Sequence, residues 1–285
     1  MEKCINTYFL YGNEIKLCEE FKEYYSDAGK SLYEVIRISD GIPIFLMEHI
    51  ERLYNSAEIM KYSLSITRDE IIDRILKLIK KNNAEEGNLK LVINYSNNIN
   101  ERFLAYFLPH AYPTKEDYLE GVKTITYHEE RSNPNAKVVN SVFREQVNAT
   151  INREEVYEAI LVDDSGFITE GSRSNIFMVL DSTVVTSKVE KVLPGITRQY
   201  IIKICKSLNI KFEEKNVHGK DIEAITGLFI SGTSPKVLPI KSVDDILFNS
   251  AKNTTINSIM IEYEVEINKN KQSFVKYMQN KTINK

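Results

Sequence analysis

The sequence predicts an α+β fold in two domains, and three observations support this. Strand-type and helix-type patterns follow one another in both halves of the 285-residue chain. No internal repeat is present, and the stretch 109–120 is aperiodic and contains two prolines. Mixed elements of this kind pack helices against a sheet, and an aperiodic stretch with prolines is typical of a connection. We therefore predict domains at 1–112 and 121–285, joined by residues 113–120.

The first half predicts several strands, one clear hairpin and two helices. Asp40-Gly41 is a strong hairpin signal between two apolar stretches. Thr67, followed three residues later by Glu70, forms a capping box that predicts the start of a helix. The predicted strands are 7–11, 32–38, 42–46, 89–95 and 102–108, and the predicted helices are 48–61 and one that begins at Thr67.

The second half alternates strands and helices less regularly. A nearly continuous apolar run at 157–162 ends in Asp163-Asp164-Ser165-Gly166, which predicts a buried strand followed by a turn. The other predicted strands are 122–128, 176–180, 183–186, 210–217 and 228–231, and the predicted helices are 138–152, 196–208 and 254–267.

The composition is that of a soluble globular protein. Hydrophobic residues make up 42% of the chain and charged residues 27%, and the formal net charge is −3. This balance removes the main electrostatic argument for a nucleic-acid binder. No apolar run approaches the roughly 20 residues that a membrane-spanning helix needs. We expect neither a nucleic acid nor a membrane as a partner.

The cysteines and histidines are scattered along the chain. Cys4, Cys18 and Cys205 are odd in number and form no CxxC pair, which favours reduced thiols over a disulfide framework. The residues after Met1 lack the apolar segment of a secretion signal, so we expect a cytoplasmic protein. The histidines lack the paired spacing of a zinc site, and we predict no metal site.

Familiar nucleotide-binding and hydrolase motifs are absent. Gly29-Lys30-Ser31 resembles the end of a P-loop, but that pattern needs a glycine at the position of Tyr24. The chain has no GxGxxG dinucleotide turn and no GxSxG nucleophile motif.

Three segments have features suited to binding an anion or a polar ring. Residues 169–177 place Glu170 beside a turn of small residues. Residues 193–198 form a Gly/Pro turn that opens a helix, where free N–H groups and the Thr197 hydroxyl suit an anion. Residues 230–235 end an apolar strand in hydroxyls and glycine. Taken singly, each segment is equally typical of an ordinary loop.

Together these segments resemble the class IV aminotransferases, the fold-type IV enzymes that use pyridoxal 5′-phosphate (PLP). That family includes branched-chain aminotransferases, D-amino-acid aminotransferases and aminodeoxychorismate lyase. The resemblance implies a small N-terminal α/β domain and a larger C-terminal pseudo-barrel domain with most cofactor contacts. The matching segments, in chain order, are Tyr33-Glu34-Val35-Ile36, His49-Ile50-Glu51-Arg52-Leu53, Lys137 with Asn140, Tyr157-Glu158-Ala159-Ile160-Leu161, Glu170 to Phe177, Gly195 to Arg198 and Ser231 to Ser234.

The resemblance implies a cofactor site, residue by residue. Lys137 takes the position of the lysine that forms a Schiff base with PLP, where an amine is needed for exchange with the substrate amine. Lys123 is the competing lysine, but its surroundings match nothing in this part of the family pattern. Glu170 matches the carboxylate that binds the pyridine nitrogen. The matches to the phosphate-binding residues are Arg52, Ile196, Thr197 and Thr233.

The resemblance also implies a substrate pocket. Tyr33 matches an aromatic wall, with a core tyrosine as the alternative, and Tyr95, Arg173 and Ser234 complete the implied pocket. The D-amino-acid enzymes trap the substrate carboxylate with an arginine on the strand that corresponds to 91–95, and this chain has none there. Arg173 stands where the family has a small residue.

The implied activity is transfer of an amino group from an amino acid to a 2-oxo acid, as in branched-chain and D-amino-acid aminotransferases. The alternatives are a lyase of the aminodeoxychorismate type and a homologue that binds PLP without turnover. Related proteins are homodimers, so we expect a homodimer by analogy. The sequence leaves open the chirality of the substrate and the identity of the amino acceptor.

Overall fold

The computed structural model describes residues 2–26, 28–96, 100–131 and 133–283, which fall into two compact units. The first unit comprises Met1–Ala111, Ala136–Val139 and Ile267–Lys285, and the second comprises Tyr112–Asn135 and Asn140–Glu266. The sequence prediction assigned 136–139 and 267–285 to the second domain, so the units differ from the predicted limits at these two segments.

The first unit is built on an antiparallel six-stranded sheet with the order β2-β1-β6-β5-β3-β4. One face packs against two amphipathic helices, α2 and α3, through an aliphatic core. The other face packs against aromatic residues around α1. The elements are β1 (Ile5–Tyr11), β2 (Glu14–Leu17), α1 (Phe21–Tyr24), β3 (Lys30–Ser39), β4 (Ile42–Pro43), α2 (Leu46–Ile59), α3 (Arg68–Lys81), β5 (Glu86–Ser96) and β6 (Asn100–Leu108).

The local signals in this half are confirmed, with one shortened strand. Gly41 has a φ of 70°, as a tight hairpin turn requires, and the Thr67 side chain accepts from the Glu70 N–H at 3.3 Å. The predicted strand 42–46 is shorter than expected. The chain leaves the sheet after Pro43 because Phe45 adopts a left-handed conformation, with a φ of 55°, and α2 begins at Leu46.

A disulfide joins Cys4 and Cys18, so the expectation of reduced thiols is wrong for these two residues. The β1–β2 hairpin turns the chain back on itself and leaves their Cα atoms 6.0 Å apart, which is within the range that a disulfide spans. Their spacing along the sequence carries no sign of this proximity. Cys205 is a free and buried thiol.

The second unit contains a mixed sheet of ten strands. Its order is β12-β11-β10-β14-β15-β7-β8-β9-β13, and β16 pairs with β15. This mixture of helices and strands confirms the predicted α+β class. The elements are α4 (Lys115–Glu120), β7 (Val122–His128), α5 (Ser141–Arg153), β8 (Glu158–Val162), β9 (Phe167–Gly171), β10 (Asn175–Leu180), β11 (Thr183–Thr186), α6 (Ile196–Ser207), β12 (Phe212–Glu214), β13 (Val217–His218), β14 (Gly227–Gly232), β15 (Lys236–Val243), β16 (Ile246–Leu247) and α7 (Thr254–Ile283). The residues of α7 from Ile267 onward belong to the first unit.

Several elements depart from the predicted boundaries in this half. The predicted strand 210–217 is divided into β12 and β13, and the predicted helix 254–267 continues to Ile283. The predicted connection contains a short helix, α4, whose start is capped by Thr114. The helix predicted from Val138 begins instead at Ser141, because the Asn140 side chain caps it by accepting from the Phe143 N–H at 3.1 Å. Among the described helices, none is both long and apolar enough to cross a membrane.

Candidate active site

Lys137 lies in an extended segment that pairs with β3. The Tyr33 N–H donates to the Lys137 carbonyl at 3.1 Å, and the Val139 N–H donates to the Ser31 carbonyl at 2.9 Å. The Lys137 N–H also donates to Ser56 Oγ on α2 at 3.2 Å. Lys137 Nζ lies 4.8 Å from the centre of the Tyr33 ring. The backbone at position 137 is therefore fixed, and the amine lies against an aromatic face.

Arg52 is held by a buried carboxylate in the same unit. Arg52 Nε donates to Glu34 Oε1 at 2.8 Å, and Arg52 Nη2 donates to Glu34 Oε2 at 2.6 Å. His49 Nδ1 lies 2.7 Å from the same Oε2 atom. All three side chains are buried. Two parallel bonds from a guanidinium to a carboxylate fix its plane as well as its position.

The pKa values of Glu34 and His49 follow from burial and charge. Burial by itself raises the pKa of Glu34, but the charge and hydrogen bonds of Arg52, together with the bond from His49, lower it to about 2. Burial lowers the pKa of His49 below its usual value, and the bond to Glu34 opposes this only in part. At neutral pH, His49 is therefore uncharged and donates its Nδ1–H to an ionised Glu34.

Tyr95 does not share a sheet face with Tyr33. Tyr33 pairs directly with Val92 on β5, and Tyr95 lies three residues further along that strand. Side chains alternate between faces along a strand, so Tyr95 points to the opposite side. It packs in the aliphatic core, stacks on Tyr62 with ring centres 4.3 Å apart, and donates its hydroxyl to the Ser63 carbonyl at 3.1 Å.

Glu170 is the second-last residue of β9 in the second unit, where three donors orient its buried carboxylate. Arg131 Nη1 donates to Oε1 at 2.9 Å. The Leu193 N–H donates to Oε2 at 3.0 Å, and Asn175 Nδ2 donates to the same oxygen at 3.3 Å. A cation, a backbone amide and a side-chain amide thus hold the group in one orientation. Arg131 was not identified from the sequence.

Asn175 connects Glu170 to the turn before α6. Its Nδ2 also donates to the Leu193 carbonyl at 2.9 Å, and the side chain is only 5% exposed. A Cβ added to Gly195 would collide with Asn175 Oδ1, so a larger residue at that position would require the Asn175 side chain to move. Asn175 lies inside a sequence segment that resembles the family. Only the hydrogen bonds in the structure show that it connects Glu170 to Leu193.

The start of α6 offers hydrogen-bond donors. Gly195 is the N-cap residue and supplies no side-chain cap, so the first N–H groups of this helix suit an anion. Ile196 and Thr197 follow and are both buried. Ser231 on β14 pairs in register with Asn175. Its Oγ is buried and, among the described residues, has no hydrogen-bond partner.

A buried carboxylate organises the turn between β9 and β10. Glu158 accepts from Ser172 Oγ at 2.6 Å and from Ser174 Oγ at 3.0 Å. It also accepts from the Arg173 N–H at 3.2 Å. The Arg173 side chain itself is exposed and donates to the Tyr157 carbonyl at 3.4 Å. Glu158 was not singled out as a site residue from the sequence.

These residues suit the chemical groups of PLP. An amine is needed for its aldehyde, a carboxylate for its ring nitrogen, and hydroxyl and N–H donors for its phosphate. Lys137 in the first unit offers an amine and, separately, Glu170 and the start of α6 in the second unit offer a carboxylate and N–H donors. The Ser231 hydroxyl, which is buried without a hydrogen-bond partner in the part of the chain that the structure describes, agrees with a site shaped for a ligand. In the described part of the chain, no cluster of side chains suited to a metal is present.

The fold and these side chains define the chain as a fold-type IV PLP enzyme. Residues 31–243 match the family described as amino-transferase class IV. The D-alanine aminotransferase of Bacillus licheniformis is 31% identical over 227 residues, which cover 76% of this chain and 80% of that protein. The branched-chain-amino-acid aminotransferase of Escherichia coli K12 is 30% identical over 242 residues, covering 76% and 77%. The chain belongs to the class IV aminotransferases, and it is a PLP-dependent enzyme.

A solved structure shows the same fold. The T.th. branched-chain amino acid aminotransferase, solved with pyridoxamine 5′-phosphate, superposes with a TM-score of 0.83. The match covers 93% of this chain and 95% of that chain at 20% sequence identity. At 20% sequence identity, this structural similarity establishes the fold alone.

Proposed function

We propose that this enzyme transfers the amino group of a branched-chain amino acid to a 2-oxo acid, with Lys137 as the residue that binds the cofactor. The observation that carries the proposal is the fixed backbone of Lys137, with its amine 4.8 Å from the centre of the Tyr33 ring. The stretch 91–95 lacks the arginine with which D-amino-acid aminotransferases trap the substrate carboxylate, which favours a branched-chain over a D-amino-acid substrate. The activity assay must therefore distinguish a branched-chain amino acid from a D-amino acid as the substrate.

Lys137 Nζ is proposed to carry two duties. When bound, PLP supplies an aldehyde that condenses with amines and a ring that withdraws electrons from the substrate α-carbon. Lys137 Nζ holds the cofactor at rest and, once displaced by the substrate amine, accepts and returns the α-proton. The contacts at its backbone leave only the side chain to move between these duties.

Glu170 is proposed to hold the proton on the ring nitrogen of PLP. The donors on its two oxygens, Arg131 on one side and Leu193 on the other, fix the plane of the carboxylate. A fixed acceptor of this kind needs little reorganisation when charge develops on the ring.

The phosphate of PLP is proposed to be held by a guanidinium, hydroxyls and backbone amides. These groups come from Arg52, Ile196, Thr197 and Thr233. The proposed substrate pocket contains Tyr33, Arg173 and Ser234. Tyr95 is left out of it because its side chain lies on the opposite face of the sheet from Tyr33.

Borohydride reduction and peptide mapping test the proposal. We expect the reduced cofactor adduct on Lys137 and its loss in Lys137→Ala. Lys123→Ala is the matched control, because Lys123 is exposed on β7, and it should keep the adduct. An adduct elsewhere in protein loaded with PLP would contradict the assignment.

A panel of amino acids then tests the reaction and its substrate. L-Leucine, L-isoleucine and L-valine should convert the bound cofactor to its pyridoxamine form, which changes its absorbance. If only D-alanine converted the cofactor, the result would contradict a branched-chain substrate and indicate a D-amino acid. Release of pyruvate from aminodeoxychorismate without an amino acceptor would favour the lyase alternative. A spectrum that no amino acid changes would favour a binding protein without turnover.

The homodimer and the cytoplasmic location are further proposals. Light scattering of the purified protein checks the first, and a mass of one chain would contradict it. Fractionation of cells that produce the protein checks the second. The Cys4–Cys18 disulfide argues against the reduced thiols on which the second proposal partly depends.

A further inference from the structure

Helix α7 contributes a hydroxyl to the start of α6. Tyr263 Oη lies 3.1 Å from Thr197 Oγ1, and the two residues are only 3% and 4% exposed. The family match ends at residue 243, so Tyr263 lies outside the matched segment. This buried contact therefore joins a residue of the proposed phosphate site to a helix that the family pattern does not include.

The place of Thr197 gives the contact a chemical meaning. Thr197 is the second residue of α6, at a helix start with no side-chain cap. A hydroxyl has one proton to donate and two lone pairs to accept with. When Tyr263 donates to Thr197 Oγ1, the Thr197 proton stays available for an anion at the helix start. The phenol is the more acidic of the two hydroxyls, which favours this direction of donation.

We propose that Tyr263 is a positioning residue for the phosphate of PLP. Its O–H donates to Thr197 and fixes the Thr197 hydroxyl, so that the Thr197 O–H donates to the phosphate. Hydrogen bonds arranged in a chain polarise one another, which strengthens the last donor. This inference rests on the proposed function, in which Thr197 belongs to the phosphate-binding residues.

The test is the affinity of the full-length protein for PLP and for pyridoxal, which has no phosphate. Both are titrated by absorbance into protein freed of cofactor. Tyr263→Phe should weaken PLP binding about three- to tenfold, the effect of one lost hydrogen bond, and should leave pyridoxal binding unchanged. Tyr277→Phe is the matched control, because it removes a hydroxyl from the same helix about 21 Å away along the axis. It should change neither affinity.

A second variant separates positioning from a general structural effect. Thr197→Val should also weaken PLP binding, and Tyr263→Phe should add nothing further in that background. Unchanged PLP binding in Tyr263→Phe would overturn the inference and leave the proposed function intact. Equal loss of PLP and pyridoxal would also overturn it, because the phosphate would then not be involved. A wild-type protein that does not bind PLP would contradict the proposed function itself.

Discussion

Glu34 and Arg52 form a bidentate ion pair inside the first unit, with both carboxylate oxygens engaged at 2.8 and 2.6 Å. The pair joins β3 to α2 through side chains that lie 18 positions apart in the chain. Arg52 is proposed to bind the phosphate of PLP. Glu34 therefore determines the plane in which the guanidinium presents its remaining N–H groups.

Glu34→Gln should destabilise the protein and weaken cofactor binding. Removing one partner of a buried pair leaves the other charge uncompensated, which costs about 3–5 kcal/mol of unfolding free energy. Urea unfolding measures the loss, and a PLP titration measures the effect on Arg52. Glu51→Gln is the control, because it breaks a bidentate pair with Arg68 whose side chains are more than half exposed. Equal losses in both variants would contradict the role of burial.

Acid should destabilise the protein in two steps that involve His49 and Glu34. The pKa of His49 is lowered in the folded state, so below about pH 6.5 the unfolded chain takes up a proton that the folded chain does not. The pKa of Glu34 is about 2 when folded against a usual 4.5, so stability is lost as the pH falls between these values. Urea unfolding from pH 8 to pH 2 measures both steps.

His49→Gln should remove the first of these steps. The exposed His110 provides the control, since His110→Gln should keep the full decline of unfolding free energy below pH 6.5. The prediction fails if both variants follow the same curve.

Glu170→Gln should keep PLP bound but slow the reaction. A neutral amide does not stabilise a protonated ring nitrogen as a carboxylate does, so we expect kcat to fall about 100-fold. Single-turnover absorbance measures the rate. Glu154→Gln, an exposed change on the same unit, is the control. Full activity of Glu170→Gln would show that another group holds the ring nitrogen.

Asn175→Asp should disrupt the site with almost no change in shape. The new carboxylate would replace a donor 3.3 Å from Glu170 Oε2 with a like charge, and the bond to the Leu193 carbonyl would be lost. We expect kcat and PLP affinity each to fall about 10- to 100-fold. Asn209→Asp makes the same change at an exposed position after α6 and should be neutral. Normal kinetics in Asn175→Asp would rule out the bridging role.

Gly195→Ala should be costly because its Cβ has no room beside Asn175 Oδ1. We expect a loss of about 1–3 kcal/mol of unfolding free energy together with weaker PLP binding. In Gly219→Ala the new Cβ meets only the Gly166 carbonyl at 3.6 Å, an ordinary contact. That control should be close to neutral in urea unfolding, and a comparable loss in the two variants would argue against the crowding.

Sequence patterns predicted most helices and strands, because residues close together in the sequence determine where these elements begin and end. The Asp40-Gly41 hairpin and the Thr67 capping box depend on neighbouring residues, and both are present. The extended pairing of Val138 with Leu32 replaced a predicted helical turn, because that contact joins residues more than 100 positions apart. The Cys4–Cys18 bond joins residues 14 positions apart and depends on the β1–β2 hairpin, which brings them together.

The sequence predicted which residues belong to the candidate site, but it did not predict the hydrogen bonds among them. Tyr95 was expected in the pocket from its strand, and only the register with β3 shows that it faces the core. Asn175, Arg131 and Glu158 act through bonds to other side chains, and no sequence spacing marks such bonds. The roles of Lys137 and Glu170 stay predictions until the adduct is mapped and the variants are measured.

The pairing of residues 137–139 with β3 limits how the reactive amine can travel. The main chain of Lys137 is hydrogen-bonded to a strand and to Ser56. Its amine can therefore move only by rotation about the bonds of the four methylene groups in its side chain. A shorter side chain with an amine would keep these main-chain contacts but would not extend as far. A free amine from solution would not be attached to the main chain at all. If Lys137 Nζ is the proposed proton carrier, small alkylamines supplied from solution should partly restore the activity that Lys137→Ala loses.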